Sequence, residues 1–148
     1  MEIQEDFKEL LELLNAHDVD YMIVGGYALA YHGAPRYTGD MDVLVRPDPD
    51  NAQRVMQALT EFGFGAVGLD ASDFLSADKV VQLGYPPVRV DIMTSISGVP
   101  CEEAFAGRVT GEYGPVSVFF IGRNEFLKNK RAIGRKKDLA DLEALGEE

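Results

Sequence analysis

Apolar positions change their period several times along the chain, and each change marks an element. Phe7, Leu10, Leu11 and Leu14 recur at i, i+3, i+4 and i+7, so Asp6 to about His17 is expected to form an amphipathic helix with one stripe facing a core. Tyr21-Met22-Ile23-Val24 is a short apolar run stopped by Gly25-Gly26, and residues 27–32 then have helical composition up to Gly33. The expected order is strand, glycine turn, short helix. Ala34-Pro35 breaks that helix, a loop follows, and Asp40 to Arg46 is expected to re-enter as a strand. Asp48-Pro49 offers an N-cap with proline at the first helical position, and Val55, Ala58, Leu59 and Phe62 keep helical spacing toward Gly63.

Residues 65–78 are mixed and glycine-containing, which predicts an irregular segment. Lys79 to Leu83 and Val88 to Ile92 read as a hairpin around Gly84-Tyr85-Pro86-Pro87. A short helix near Glu102 to Gly107 and a strand at Val116 to Ile121 follow, then helices around Asn124 to Ile133 and Lys136 to Leu145, parted by Gly134. No repeat, low-complexity tract or long linker divides the chain. One α/β or α+β domain over residues 1–148 is the economical expectation, with a core at 20–122 and C-terminal helices at 124–146.

Composition agrees. A chain of 148 residues that is 46% hydrophobic can bury roughly two-thirds of its unfolded surface without disulfide or metal. The single Cys101 has no internal partner, the acidic start Met1-Glu2-Ile3-Gln4-Glu5-Asp6 lacks the features of a signal peptide, and no apolar stretch approaches a membrane span. The expected compartment is therefore the cytoplasm, with no membrane partner. A net charge of −11 argues against coating nucleic acid by whole-surface attraction. Six of the 14 basic residues nevertheless fall close together: Lys128, Lys130, Arg131, Arg135, Lys136 and Lys137. They form either a local anion site or a solvated helix face.

The acids change the picture most. Side chains alternate along a strand, so Asp40 and Asp42 project to one side while Met41 and Val43 face the other. Asp91 interrupts a second apolar run, Val88-Arg89-Val90-Asp91-Ile92-Met93. Paired carboxylates either share a proton or bind a hard divalent metal through oxygen. Acids at i and i+2 on one strand, with a third on a neighbour, supply the geometry of two-metal phosphoryl and nucleotidyl transfer. Taken singly, Asp40 and Asp42 could be a solvated strand face and Asp91 a charge on an edge strand. Gly25-Gly26, closing a strand and opening a helix, could let a phosphate approach backbone N–H groups, or could simply be a turn. Neither GxGxxG nor GxxxxGK[ST] is present.

Ile23-Val24-Gly25-Gly26, then Asp40-Met41-Asp42-Val43, then Asp91, resembles the signature of the DNA-polymerase-β-type nucleotidyltransferase superfamily, whose small members include minimal nucleotidyltransferases and abortive-infection-type nucleotidyltransferase toxins. The tail from Lys130 through Gly134-Arg135-Lys136-Lys137-Asp138-Leu139-Ala140-Asp141-Leu142 resembles the ending of the toxin-like members, so the resemblance spans about residues 20–145.

The resemblance implies the nucleotidyltransferase fold, a mixed β-sheet flanked by helices with a C-terminal helical segment. It implies that Asp40 and Asp42 bind two Mg²⁺ (or Mn²⁺) ions, that Asp91 completes the ion that activates the acceptor hydroxyl, and that Gly25 and Gly26 bind a nucleoside triphosphate such as ATP through backbone amides. Gly26 stands where the family often has serine, so no hydroxyl contact is available there. Lys130, Arg135 and Lys137 are candidate phosphate contacts, with Asp138 and Asp141 orienting them, and Arg36 and Thr38 could touch phosphate or base.

The implied activity is transfer of a nucleoside monophosphate to a hydroxyl on RNA, protein or a small molecule, as a free enzyme or as the toxin of a pair with an antitoxin partner. The alternative is a catalytically silent module that binds nucleotide or a partner. A nuclease or phosphodiesterase is disfavoured, because His17 and His32 have no zinc spacing and His32 beside Gly33 reads as a helix end. Tyr27, Tyr31 and Tyr37 could stack a nucleobase or serve in packing.

Overall fold

In the computed structural model, which describes residues 3–35, 39–63, 68–76, 78–85 and 88–147, helices and strands interleave. Their order is α1 (Glu5–Ala16), β1 (Tyr21–Val24), α2 (Gly25–Tyr31), β2 (Asp40–Val45), α3 (Pro49–Phe62), β3 (Val80–Tyr85), β4 (Val88–Met93), α4 (Cys101–Gly107), β5 (Val109–Tyr113), β6 (Val116–Phe120), α5 (Arg123–Ile133) and α6 (Lys136–Ala144). A 3₁₀ turn at Ala71–Phe74 stands between α3 and β3.

The strands make one mixed sheet in the order β3-β4-β2-β1-β6-β5. β1 lies antiparallel to β2 and parallel to β6; β2 runs parallel to β4; β3–β4 and β5–β6 are antiparallel pairs. All four residues of β1 are buried, the mark of a strand covered on both faces. On β2 and β4 alternation is strict at the acidic end: Met41, Val43, Val90 and Ile92 are buried, while Asp40, Asp42, Arg89 and Asp91 on the opposite face are partly exposed.

The predicted helices form for the expected reasons. Phe7, Leu10, Leu11 and Leu14 of α1 are each at most 1% exposed, and α1 packs against α3. The Asp48 carboxylate accepts from the Asn51 N–H at the start of α3, and left-handed Gly63 ends it.

Three differences have physical causes. Helix α2 begins at Gly25 itself rather than after the glycine pair. The irregular segment contains a 3₁₀ turn closed by reciprocal Asp70 and Asp73 caps and anchored by fully buried Phe74. Strand β5 carries almost no periodicity, because it is a sheet edge whose Val109 and Thr110 are exposed; a Cβ on its Gly111 would come within 2.6 Å of the Tyr31 ring, which stacks on Phe120. Among the described residues, no helix is long and apolar enough to cross a membrane.

Asn51, fully buried, ties the helix start to the sheet. It accepts from the Asp20 N–H at 2.7 Å and donates to the carbonyls of Asp20 and Arg46 at 3.0 and 2.9 Å. Asn51→Ala would remove all three bonds, leaving the Asp20 N–H without its acceptor while each carbonyl keeps one backbone donor, at a cost of about 3 kcal/mol. Thermal melts should then fall by roughly 6–12 °C. A fall under about 2 °C would show that water substitutes for the amide.

Candidate active site

The acidic face is built by strand pairing. β2 sits between β1 and β4, and its Asp42 is opposite Val24 on one side and Asp91 on the other. In a parallel pair, residues in register share a face, so Asp42 and Asp91 stand side by side with Asp40 one pleat away. β4 is an interior strand, flanked by β2 and β3, so Asp91 is no edge charge.

Gly25 is shaped by Asp42. Its φ is +70°, a region that disfavours side chains, and a Cβ there would lie 2.3 Å from Asp42 Oδ2. The missing side chain leaves room for a carboxylate pressed against the turn between β1 and α2. Gly26 is buried within α2. Burial first, then the neighbouring Asp91 and Asp40 charges, push the Asp42 carboxyl up to about 6, against opposing pulls from Lys130 and Lys137. That mutual repulsion places the three acids within reach of one another's fields.

A cation that periodicity should have exposed lies among them. Arg89 precedes Asp91 by two residues, is in register with Asp40, and shares the acidic face. Its Nε and Nη2 donate to Asp91 Oδ1 and Oδ2 at 3.0 and 3.1 Å, and Nε lies 3.8 Å from Asp40 Oδ2.

Lys130 and Arg135 of the basic tail are bonded to acids of the same tail. Lys130, 4% exposed, places its ammonium 3.1 Å from both Asp138 and Asp141, which are themselves buried. Arg135 Nε donates to Asp138 Oδ2 at 2.7 Å, and the Asp138 carboxylate also caps the Arg135 N–H, at 3.2 Å. Burial alone would raise the Asp138 carboxyl, but hydrogen bonds from Arg135 and Lys130 hold it down to about 2. Asp138 and Asp141 therefore orient the cations, as expected, and in doing so clamp α5 to α6. Lys137 is exposed, close enough to act on Asp42, and has no ion pair among the described residues. Arg36, Tyr37 and Thr38 lie outside the described residues. Tyr27 is buried with edge contacts to Phe7 and Tyr113, which gives it a packing role; His32 caps α2.

A cavity of about 230 Å³ opens beside Asp42. Gly25 and Asp42 form one wall, Ser95, Ile96 and Ser97 after β4 a second, and Asn129, Lys130, Ile133 and Arg135 the third. The Asp42 carboxylate, the glycine turn and two cations thus converge on one concave space.

Solved structures superpose on nearly the whole chain. A Thermotoga maritima protein assigned to the nucleotidyltransferases matches with a TM-score of 0.62 at 13% identity, covering 96% of this chain and 93% of its own. A lincosamide antibiotic adenylyltransferase, solved with lincomycin bound, matches at 0.57 and 14% identity over 99% and 98%. The fold is that of the nucleotidyltransferases. An antigenic nucleotidyltransferase-like protein from Paracoccidioides brasiliensis also matches, at 0.57 and 16% identity over 95% of this chain and 72% of its own. No family model and no curated protein matches the chain.

On this nucleotidyltransferase fold, the donor set suits a hard divalent ion: carboxylate oxygens on one face, two of them on adjacent strands in register. Among the described residues, no three His, Cys, Asp or Glu side chains are already gathered tightly enough to hold an ion. The Arg89 bond draws the Asp91 oxygens to itself.

Two predictions follow the charges. A folded-state carboxyl raised to about 6 binds its proton more tightly than in the unfolded chain, so its favourable contribution is present below the ordinary value of 3.8 and lost as pH rises through 6. Metal-free Asp42→Asn should therefore melt higher than wild type at pH 8, by up to about 3 kcal/mol, and equally near pH 4. Equal melting at both pH values would refute the repulsion. Lys130→Met leaves two buried carboxylates without their shared cation and should cost about 3–5 kcal/mol in denaturant unfolding; a loss below about 1 kcal/mol would refute the clamp.

Proposed function

We propose that this chain transfers a nucleoside monophosphate from a nucleoside triphosphate to a hydroxyl acceptor, using Mg²⁺ or Mn²⁺ held by Asp40, Asp42 and Asp91. The observation that carries the reading is the in-register pairing of Asp42 with Asp91 beside the Gly25 turn and the cavity. Bound divalent ions would supply charge neutralisation and a more acidic acceptor hydroxyl. The chain's own groups do the rest. Gly25 leaves the Asp42 carboxylate space at the cavity wall, Gly25 and Gly26 offer backbone amides to phosphate, and Lys137 offers a free ammonium. Lys130 and Arg135 contribute positive field from fixed positions while remaining bonded to Asp138 and Asp141.

The tail also bears on the acceptor. Four of its six cations are paired within the chain: Lys128 with Glu103, Lys130 with Asp138 and Asp141, Arg131 with Glu147, and Arg135 with Asp138. RNA phosphates would have to displace those carboxylates on a protein of net charge −11. A small molecule or a protein hydroxyl suits the surface better, whether the enzyme acts alone or as a toxin restrained by an antitoxin.

A labelled-triphosphate transfer screen with Mg²⁺ or Mn²⁺, against small molecules, protein extract and total RNA, tests the reading. Pyrophosphate release should depend on metal, and Asp42→Asn should lower transfer by at least about 10³-fold, a barrier change of about 4 kcal/mol. Undiminished transfer by Asp42→Asn would sink the assignment. Triphosphate binding with no pyrophosphate from any acceptor would favour a silent binding module.

A further inference from the structure

Transfer as proposed above needs the oxygens of Asp91, and both are already engaged by a side chain of the same face. Arg89 grips Asp91 through two hydrogen bonds of 3.0 and 3.1 Å, a fork that matches a carboxylate edge, and its Nε sits 3.8 Å from Asp40. The pair is not a loose surface contact, since the Asp91 side chain is 14% exposed and that of Arg89 30%. Lys130 cannot take over this role while its ammonium spans Asp138 and Asp141.

A metal ion and a guanidinium forked on both oxygens of one carboxylate repel each other and draw on the same lone pairs, so each weakens the other's hold. We infer that Arg89 is a resident counterion that competes with the divalent ion for Asp91, so that the nucleotide-free chain binds metal weakly and triphosphate strengthens metal binding by giving Arg89 another anion. The inference rests on the nucleotidyl-transfer reading. Without Arg89, Asp91 would lose the cation bonded to both of its oxygens while standing beside Asp42. With it, Asp91 is bonded to a cation two residues away on its own strand. Arg89 is rooted in an interior strand, so its displaced guanidinium stays on the acidic face, where its donors require acceptors. A triphosphate arriving with the metal supplies them. Arg89 is thus a positioning residue that couples metal affinity to nucleotide.

Calorimetric titration with Mn²⁺ tests this on the full chain, as wild type, Arg89→Ala, Arg89→Lys and the double variant Arg89→Ala/Asp91→Asn, with and without a non-hydrolysable nucleoside triphosphate. Without nucleotide, Arg89→Ala should bind Mn²⁺ roughly three- to tenfold more tightly than wild type, the scale of a partly exposed charge pair removed from competition. Arg89→Lys, which keeps the charge but not the fork, should fall between them. The double variant should lose the gain, and nucleotide should erase or reverse the difference. Equal or weaker Mn²⁺ binding by Arg89→Ala, with native circular dichroism, would overturn the proposal. Should Arg89→Ala fail to fold, wild-type affinity in Arg89→Lys would overturn it equally. Absence of Mn²⁺ binding in every protein, even with triphosphate, would instead remove the nucleotidyl-transfer reading and this inference with it.

Discussion

Parallel pairing of β2 with β4, in the register that sets Asp42 beside Asp91, is the constraint from which the acidic face follows. A slip of one residue would send Asp42 into the space now filled by Met41 and Val43 and bring apolar side chains to the cavity, so the buried face enforces the register that the chemistry needs. The antiparallel pairing of β2 with β1 adds the second condition, because it lays Asp42 against the end of β1 where Gly25 must have no side chain. Core packing and site geometry are therefore two faces of the same strands.

Two charge clusters of different character lie around the cavity. The one formed by Lys130, Arg135, Asp138 and Asp141 is internally balanced, buried except for Arg135, and joins two helices; hydrogen bonds from Arg135 and Lys130 hold the Asp138 carboxyl low against its burial. The other, on the sheet, gathers three acids and, among the described residues, one arginine; burial first, then the Asp91 and Asp40 charges, raise the Asp42 carboxyl. A fold that spends apolar burial on holding an anionic excess together has a place ready for further positive charge. The balanced cluster has none to spare, and this difference separates a scaffold from a binding site.

Much of this was legible in the chain. The α1 stripe, the Asp48-Pro49 start of α3, the β3–β4 hairpin and the helix break at Gly134 follow from local periodicity and caps, which are short-range physics. The one-sided placement of Asp40 and Asp42 follows from strand alternation. What was not legible was adjacency: nothing local says that β2 and β4, separated by a helix and another strand, lie side by side, so the pairing of Asp42 with Asp91 needed the resemblance or the structure. Arg89 obeys the same period-two rule as Asp91, so alternation alone puts an arginine on the acidic face, while its bond to Asp91 belongs to the folded strand. The tail shows the opposite limit. Lys130 and Arg135 suggest phosphate contacts as a string of cations, but the burial of Lys130 and its bonds to Asp138 and Asp141 are properties of the α5–α6 packing, while exposed Arg135 closes a cap with Asp138 at the start of α6. Strand β5 lacked a signal because an edge strand carries little apolar alternation.

The proposed metal platform of Asp40, Asp42 and Asp91 beside the cavity can be seen by anomalous diffraction from crystals grown with Mn²⁺ and a non-hydrolysable nucleoside triphosphate. Manganese peaks are expected between the Asp42 and Asp91 carboxylates and toward Asp40, with the triphosphate passing Gly25. Ordered triphosphate with no manganese at these three residues, or with manganese held elsewhere on the chain, would contradict it.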